Sequence, residues 1–303
     1  MEIQQLRYFL AVVRMSNFSR AAERCHVSQP SLSQQVMKLE AELGERLFER
    51  TRREVRLTEA GRLLLPHAEQ VLRELELARE KVGGTTGVLR GRVALGVIPT
   101  VAPYFLPGRL RAFAGEFPEV KVEVHEDTTA QLARAVLTGE IDLALVSLPV
   151  EQRGLATVAL FEEPLLAALP AGHALARKRR LTPADLANEA FVLMKEGHCL
   201  AGQTLAFCQL EGIAPRVSFR SAQIETVRAF VAAGWGVSVV PRMACPKDDT
   251  TKGGVCYRPL TGMQRAIGFI SGKQSRPGRA TAALLEFFKS APAAKSASRV
   301  TNA

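Results

Sequence analysis

The sequence predicts an all-α head with a long linker helix, followed by an α/β domain of two lobes. Three observations support this fold class. Apolar side chains recur at helical spacing through residues 1–82, whereas short apolar strands alternate with helices from residue 92 onward. A length of 303 residues is too great for one small domain. A composition of 47% hydrophobic and 23% charged residues is typical of a folded globular chain.

The head, residues 1–60, includes two short helical patterns joined by a tight turn, and a further helix precedes them. An apolar stripe predicts a first helix over about Ile3–Met15. We expect Ser19 to cap a second helix and Pro30 to lie in the first turn of a third, which covers roughly 29–43. A basic segment follows. This order of elements predicts a winged helix-turn-helix, a unit that binds duplex DNA.

Polar side chains at the start of the third helix are the candidates for contacts with DNA bases. Gln29, Ser31, Ser33 and Gln34 are predicted on or near its exposed side, from which short polar side chains reach base edges. A formal net charge of +10 suits a phosphate backbone. Several arginines fall in the predicted wing, where we expect phosphate contacts: Arg46, Arg50, Arg52, Arg53 and Arg56.

A long helix joins the head to the rest of the chain. It is predicted from Thr58 and Glu59 to about Val82, and the GGTTG segment at 83–87 is predicted to be a hinge. Because its apolar stripe is broad, we interpret residues 58–90 as a linker and dimerisation element. Ordinary packing against the head is the alternative.

The α/β domain is predicted over residues 91–290. Apolar strands near 92–98, 121–126 and 141–147 alternate with helices, which implies a parallel sheet covered on both faces. The pattern restarts near residue 160. We therefore expect two lobes joined by crossing strands, with a ligand cleft between them. The expected boundaries are 91–160 with 268–290 for one lobe and 161–267 for the other, followed by a disordered tail at 291–303.

Several classes of protein are excluded or disfavoured. No run of 18 apolar residues could span a bilayer, and the N-terminus lacks the pattern of a secretory signal, so we expect a cytoplasmic protein. The five cysteines form no CxxC pair, and no Cys/His spacing suits a zinc site. We therefore predict no metal and no cofactor. An odd cysteine count also disfavours a secreted disulfide scaffold.

The motif AAERCHVSQPSLSQQVMKLEAELGERLFERT is specific, and with it the whole chain resembles the LysR-type transcriptional regulators. The resemblance implies a recognition helix with Gln29, Pro30, Ser31 and Ser33, and a wing with Arg50 and Arg52. It also implies an effector domain like the periplasmic binding proteins. Such regulators are typically dimers of dimers that bind promoter DNA, work with RNA polymerase and respond to a small molecule.

One segment, KEGHCLAGQTLAFC, resembles the redox switch of a peroxide-sensing branch of that family. GVIPTVAPYFLP, HEDTTAQL and FRSAQIETVRAFVAAGWG are similar to the same branch. The resemblance implies that hydrogen peroxide oxidises Cys199, which then forms a disulfide with Cys208. It further implies that Thr100, Thr129 and His198 hold the peroxide and water, and that the protein activates oxidative-stress genes.

The positions of Cys199 and Cys208 also have a physical interpretation that does not depend on the resemblance. Cys199 is predicted at the start of a helix, where unpaired N–H groups and the neighbouring His198 stabilise a thiolate, the form that attacks peroxide. Cys208 lies nine residues further along the same helix, which separates the Cα atoms by roughly 13 Å. A disulfide requires about 7 Å or less. The helix must therefore unwind for the bond to form.

Alternatives remain open at the level of the sequence. Cys199 and Cys208 could be ordinary packing residues, as we expect for Cys25, Cys245 and Cys256. Thr100 and Thr129 could be simple helix caps. Ala201, Gly202 and Ala266 are uncharged where close relatives are expected to carry charges that tune the thiolate. The competing functions are a regulator that binds a small organic anion in the cleft and a thiol peroxidase, which the DNA-binding head disfavours.

Overall fold

The computed structural model describes residues 1–50, 55–83, 89–210, 212, 215–246, 252–273 and 277–290. The chain forms two compact units, residues 1–87 with 138–140 and residues 88–137 with 141–303, and each is described by itself. Within these described ranges, no helix is long and apolar enough to cross a membrane. Residues 84–87 of the predicted hinge (83–87), the wing arginines Arg52 and Arg53 and the predicted tail (291–303) lie outside them.

The head is built from three short helices, a two-stranded hairpin and one long helix. The helices are α1 (Ile3–Met15), α2 (Phe18–Arg24) and α3 (Gln29–Leu43); antiparallel strands β1 (Phe48–Arg50) and β2 (Val55–Leu57) precede α4 (Glu59–Gly83). The predicted α1 and α3 are confirmed. The prediction for Ser19 is wrong: Asn17 caps α2, because its side-chain oxygen accepts the Arg20 N–H at 3.0 Å.

One face of α4 belongs to the core of the head. Leu64, Leu65 and Leu72 pack against a core formed by α1, α2 and α3, and Ala68 is buried within it. Leu63 and Val71 remain 67% and 44% exposed. Ordinary packing therefore accounts for part of the predicted apolar stripe, and the exposed part is left for another contact.

The second unit contains a six-stranded sheet in the order β4-β3-β5-β10-β6-β9 and a separate parallel pair, β7 and β8. The elements are β3 (Gly91–Val97), α5 (Ala102–Glu116), β4 (Val120–Glu126), α6 (Thr129–Thr138), β5 (Leu143–Leu148), β6 (Leu155–Pro170), β7 (Ala190–Met194), α7 (Cys199–Leu210), β8 (Arg216–Ser221), α8 (Ile224–Ala232), β9 (Ser238–Pro241), β10 (Val255–Gly272) and α9 (Arg279–Ser290).

The expectation of a parallel sheet is only partly correct. Strand β3 runs parallel to β4 and β5, but β10 runs antiparallel to both β5 and β6. Strands β6 and β10 are 16 and 18 residues long and pair along most of their length. The sequence indicated only their most apolar parts, because side chains elsewhere in both strands are partly exposed and interrupt the apolar run.

The two long strands connect two hydrophobic cores. The core of the first lobe lies around β3, β4, β5, α6 and α9 and includes Ile267–Ile270 of β10. That of the second lobe lies around β7, α7, α8 and β9 and includes residues 165–169 of β6. Between these cores, Glu163 and Arg265 face each other as register partners on β6 and β10. Charged residues therefore occupy the junction between the lobes.

Candidate redox site between the two lobes

Helix α7 begins at Cys199, as the sequence predicted. The loop before it turns at Gly197, whose φ of +91° is a conformation that favours glycine. The carbonyl of His198 accepts the N–H groups of Ala201 and Gly202 at 3.0 and 3.4 Å, which closes the first turn. Cys199 is thereby fixed in the first turn of α7, where backbone N–H groups have no partner within the helix.

The Cys199 thiol lies against the first lobe. Its side chain packs on that lobe's core, close to the hydroxyls of Thr100 and Thr129 and to the Arg265 guanidinium. Thr100 is 1% exposed and follows β3, while Thr129 begins α6. Both threonines therefore lie at the carboxyl ends of parallel strands, where ligands of such sheets collect. The structure brings these two predicted residues together with the cysteine.

Burial has a larger effect on the pKa of the Cys199 thiol than the sequence suggested. It raises the pKa of Cys199, and the Arg265 charge, the Leu200 N–H and the two threonine hydroxyls only oppose the rise. Burial also lowers the pKa of His198, against the opposing influence of the Asp127 and Glu126 carboxylates. The neutral imidazole is therefore favoured. The Leu200 N–H at the helix terminus favours the thiolate, as the sequence analysis expected, but burial outweighs it, and the positive charge that lowers the pKa of Cys199 comes from Arg265.

Arg265 is a functional candidate that the sequence analysis missed. Its side chain is fully buried; Nη1 donates to Thr100 Oγ1 at 2.7 Å, and Nε and Nη2 donate to Glu163 Oε1 at 2.8 and 2.6 Å. The other carboxylate oxygen of Glu163 accepts the Met243 N–H at 3.1 Å. A buried arginine is tolerated when an opposite charge pairs with its guanidinium and hydrogen-bond acceptors satisfy its N–H groups. The signal in the sequence was a charged residue directly before the apolar run of β10.

Thr129 has a buried hydroxyl beside the Cys199 thiol. Its Oγ1 is buried but has no nitrogen or oxygen partner in the part of the chain that the structure describes. Buried hydroxyls normally have such a partner, and each exception calls for an explanation. A hydroxyl beside the Cys199 sulfur can donate to or accept from a small polar molecule bound there. A simple cap therefore does not account for this threonine.

Cys208 is separated from the site by the helix itself. It is 4% exposed, lies in the core of the second lobe, and burial raises its pKa.

The uncharged residues near Cys199 differ in their exposure, since Ala201 is buried and Gly202 is exposed with open space around it. Burial raises the pKa of Cys245 to about 12, which makes it a poor nucleophile at neutral pH.

The start of α3 presents polar groups to solvent. Ser28 caps the helix by accepting the Ser31 N–H at 3.3 Å, and Gln29, Pro30 and Gln34 are exposed together with Ser31. Ser33, predicted on the same exposed side, is 8% exposed, so that prediction is wrong. It occupies the helical position next to Leu32, which faces the core. Of the other wing arginines, Arg46 and Arg56 are exposed, and Arg50 ends β1 with its side chain outside the described residues.

Comparisons with known proteins cover nearly the whole chain. The family model described as "Bacterial regulatory helix-turn-helix protein, lysR family" matches residues 3–62, and the "LysR substrate binding domain" matches residues 86–293. The chain is 39% identical over 259 residues to the hydrogen peroxide-inducible genes activator of Pectobacterium carotovorum subsp. carotovorum, a match that covers 86% of this chain and 85% of that protein.

Two solved structures resemble the chain along its length. Full-length OxyR from Pseudomonas aeruginosa, carrying a cysteine-to-aspartate substitution, has a TM-score of 0.80 and 32% identity and covers 96% of both chains. A hydrogen-peroxide-bound OxyR variant from Corynebacterium glutamicum has a TM-score of 0.63 and 32% identity, covering 95% of this chain and 90% of that one. The similarity extends over both the head and the second unit.

Proposed function

Because the chain belongs to the LysR family of helix-turn-helix regulators, we propose that it is a transcription regulator that senses hydrogen peroxide through Cys199 and Cys208. The observation that carries the proposal is the position of the Cys199 thiol. It lies beside the hydroxyls of Thr100 and Thr129 and the buried Arg265 guanidinium, at the start of the helix that also holds Cys208. The similarity to peroxide-responsive relatives supports the same function.

The first step oxidises Cys199. The thiolate attacks one oxygen of hydrogen peroxide, the O–O bond breaks, and the sulfur becomes a sulfenic acid. The second oxygen leaves as hydroxide and takes up a proton to become water. Thr129 Oγ1, which has no described nitrogen or oxygen partner, and Thr100 are the hydroxyls available to hold the peroxide, and Arg265 stabilises the negative charge on the sulfur. His198, at the entrance to α7, is the remaining candidate for holding peroxide or water.

The second step joins the two cysteines. The Cys208 sulfur attacks the sulfenic sulfur of Cys199, the S–S bond forms, and the hydroxyl group leaves as water. Since α7 holds both residues in one continuous helix, the bond requires the helix to unwind. A local chemical change is thereby converted into a rearrangement of the second unit. Reduction by a cellular thiol reverses it.

The remaining parts of the chain act on DNA in this proposal. Gln29, Ser31 and Gln34 contact bases and the wing arginines contact phosphates, in a dimer of dimers that activates transcription with RNA polymerase in the cytoplasm. The exposed Leu63 and Val71 on α4 support pairing of two chains through the linker. One oxidation serves one signalling event, so the protein is a sensor and not a peroxidase.

The test is a stoichiometric oxidation. After one equivalent of hydrogen peroxide, mass spectrometry of wild-type protein should detect a peptide with a Cys199–Cys208 disulfide. Cys199→Ser should consume no peroxide, because a hydroxyl is a far poorer nucleophile. Cys208→Ser should consume one equivalent and stop at the sulfenic acid or continue to overoxidised forms. Cys256→Ser, a buried cysteine of the same unit, is the matched control and should behave like wild type.

The link to DNA is tested by footprinting. Reduced and oxidised protein should protect different lengths of the same promoter, since the disulfide alters how the second units pair. Two results would contradict the proposal. One is a wild-type protein without the disulfide whose footprint changes on binding an organic anion; the other is repeated turnover of peroxide without a change in the footprint.

A further inference from the structure

We infer that Gln203 is a positioning residue that fastens α7 to the first lobe through Ser147, and that release of this hydrogen bond limits closure of the Cys199–Cys208 disulfide. We call the hydrogen-bonded side chains of Gln203 and Ser147 the latch. The inference that the latch limits disulfide closure rests on the proposed function, whereas the inference that the latch holds α7 does not.

The geometry of the latch is simple. Gln203 Nε2 donates to Ser147 Oγ at 2.8 Å, and that hydroxyl donates to the Ala266 carbonyl at 3.4 Å. Ser147 is 3% exposed and lies in β5 of the first lobe, opposite Ile267 of β10. The bond is therefore partly buried and anchored on two paired strands. It joins α7 to the first lobe independently of the contacts of Cys199.

The position of Gln203 along α7 explains why it is suited to this task. Residues four apart lie on one helical face, so Gln203 and Cys199 point the same way, toward the first lobe. Leu200, Thr204 and Cys208 are all buried, and Leu200 and Cys208 belong to the core of the second lobe. The helix is thus held from both sides. The latch belongs to the side that also bears the reactive sulfur.

The latch must open before the disulfide can close. Gln203 lies between the two cysteines in sequence, so unwinding that brings their Cα atoms within about 7 Å also moves its own backbone. A side-chain bond 2.8 Å long to a fixed strand does not survive that movement. The step that follows is the attack of the Cys208 sulfur on the Cys199 sulfenic acid, with water as the leaving molecule. The first oxidation needs no movement of α7 and therefore does not involve the latch.

The latch holds the helix incompletely. Gln203 Oε1 is buried and has no hydrogen-bond partner in the described ranges, so the amide is satisfied at one end only. An unsatisfied buried acceptor favours any state in which water reaches it. The reduced helix is therefore held by the Nε2 bond and simultaneously disfavoured by the unpaired oxygen. This arrangement suits a segment that must stay in place at rest and open on demand.

The first experiment measures opening without oxidation. Hydrogen–deuterium exchange is followed in the reduced full-length protein, with α8 as the internal reference. Ser147→Ala leaves the whole amide unpaired, so exchange in α7 should accelerate about tenfold. In a Gln203→Ala background the same substitution should have no effect on α7, because no bond from Ser147 to α7 remains to be lost. Ser147→Thr keeps the hydroxyl and should restore slow exchange, and Gln209→Ala, an exposed glutamine of α7, should change nothing.

The second experiment separates the two chemical steps. After one equivalent of hydrogen peroxide, rapid quenching and dimedone trapping follow the sulfenic acid, and mass spectrometry follows the disulfide. Ser147→Ala should close the disulfide about tenfold faster and leave sulfenic acid formation, measured in a Cys208→Ser background, unchanged. The latch would be overturned if Ser147→Ala left hydrogen–deuterium exchange in α7 unaltered. It would also be overturned if Ser147→Ala changed that exchange equally with and without Gln203. A wild-type protein that forms no disulfide while its exchange responds as expected would instead refute the proposed function alone.

Discussion

Cys199 and Cys208 lie on opposite sides of helix α7, and each packs in a different lobe. Nine residues correspond to about two and a half helical turns, so the two side chains point in opposite directions. Cys199 packs against the core of the first lobe, whereas Cys208 is buried in the core of the second. A disulfide between them cannot coexist with this helix. The resting fold therefore keeps the thiols apart, and formation of the disulfide must remove at least one of them from the core in which it packs.

The stability of α7 should set the speed of disulfide closure. Gly202 lies in α7, and a Cβ placed there would meet nothing within 4 Å. Alanine in a helix is favoured over glycine by about 1 kcal/mol, so Gly202→Ala should slow closure about fivefold and leave sulfenic acid formation unchanged. Quenched-flow mass spectrometry measures both rates. Gly108→Ala, an equally open position in α5, is the control; if it slowed closure as much, the effect would not lie in α7.

The rate of the first oxidation should increase with pH across the neutral range. Burial raises the pKa of Cys199, so the thiol predominates at neutral pH and the thiolate fraction grows about tenfold per pH unit below that pKa. The second-order rate constant with peroxide should therefore rise without a plateau between about pH 6.5 and 8.5. Stopped-flow measurements on Cys208→Ser protein give this profile. A plateau below pH 8 would show that the thiolate already predominates.

Arg265 should affect both the rate at which peroxide oxidises Cys199 and the free energy of unfolding, and the two effects can be separated. Arg265→Met removes the positive charge near Cys199 and should slow oxidation at least about tenfold, with the pH profile displaced upward. It also leaves Glu163 buried without its partner, which should cost about 3–5 kcal/mol of unfolding free energy. Adding Glu163→Gln should recover much of the stability, measured by urea denaturation, but none of the rate. Recovery of both would mean that Arg265 acts only by holding the fold.

The exposed glutamines of α3 should determine site selectivity. Gln34→Ala should weaken binding to the cognate promoter by about 1–3 kcal/mol if the side chain contacts a base, with little change for unrelated duplex DNA. Fluorescence anisotropy at several salt concentrations measures both affinities. Gln4→Ala, an exposed glutamine of α1, is the matched control. Equal losses on both kinds of DNA would assign Gln34 to the phosphate backbone.

The elements that follow from local interactions were predicted correctly from the sequence. The bounds of α1 and α3 agree with the structure, and α7 begins at Cys199. Helical periodicity, glycine and proline act over a few residues, so one chain segment contains the whole signal. The prediction for Ser19 failed within this same range. Asn17 and Ser19 are both good caps, and the choice depends on which residues the head buries.

The contacts that define the site required the tertiary structure. Arg265 and Glu163 are 102 residues apart, and Gln203 and Ser147 are 56 apart. Their pairing depends on β6 and β10 running antiparallel through both lobes, which the interrupted apolar pattern of those strands did not indicate. The pKa of Cys199 likewise depends on how deeply the lobes bury it. The sequence by itself identified Cys199, Cys208, Thr100 and Thr129 as candidates for the chemistry, and only the packing of distant segments determined their partners and charge, because burial and hydrogen bonding are properties of the assembled fold.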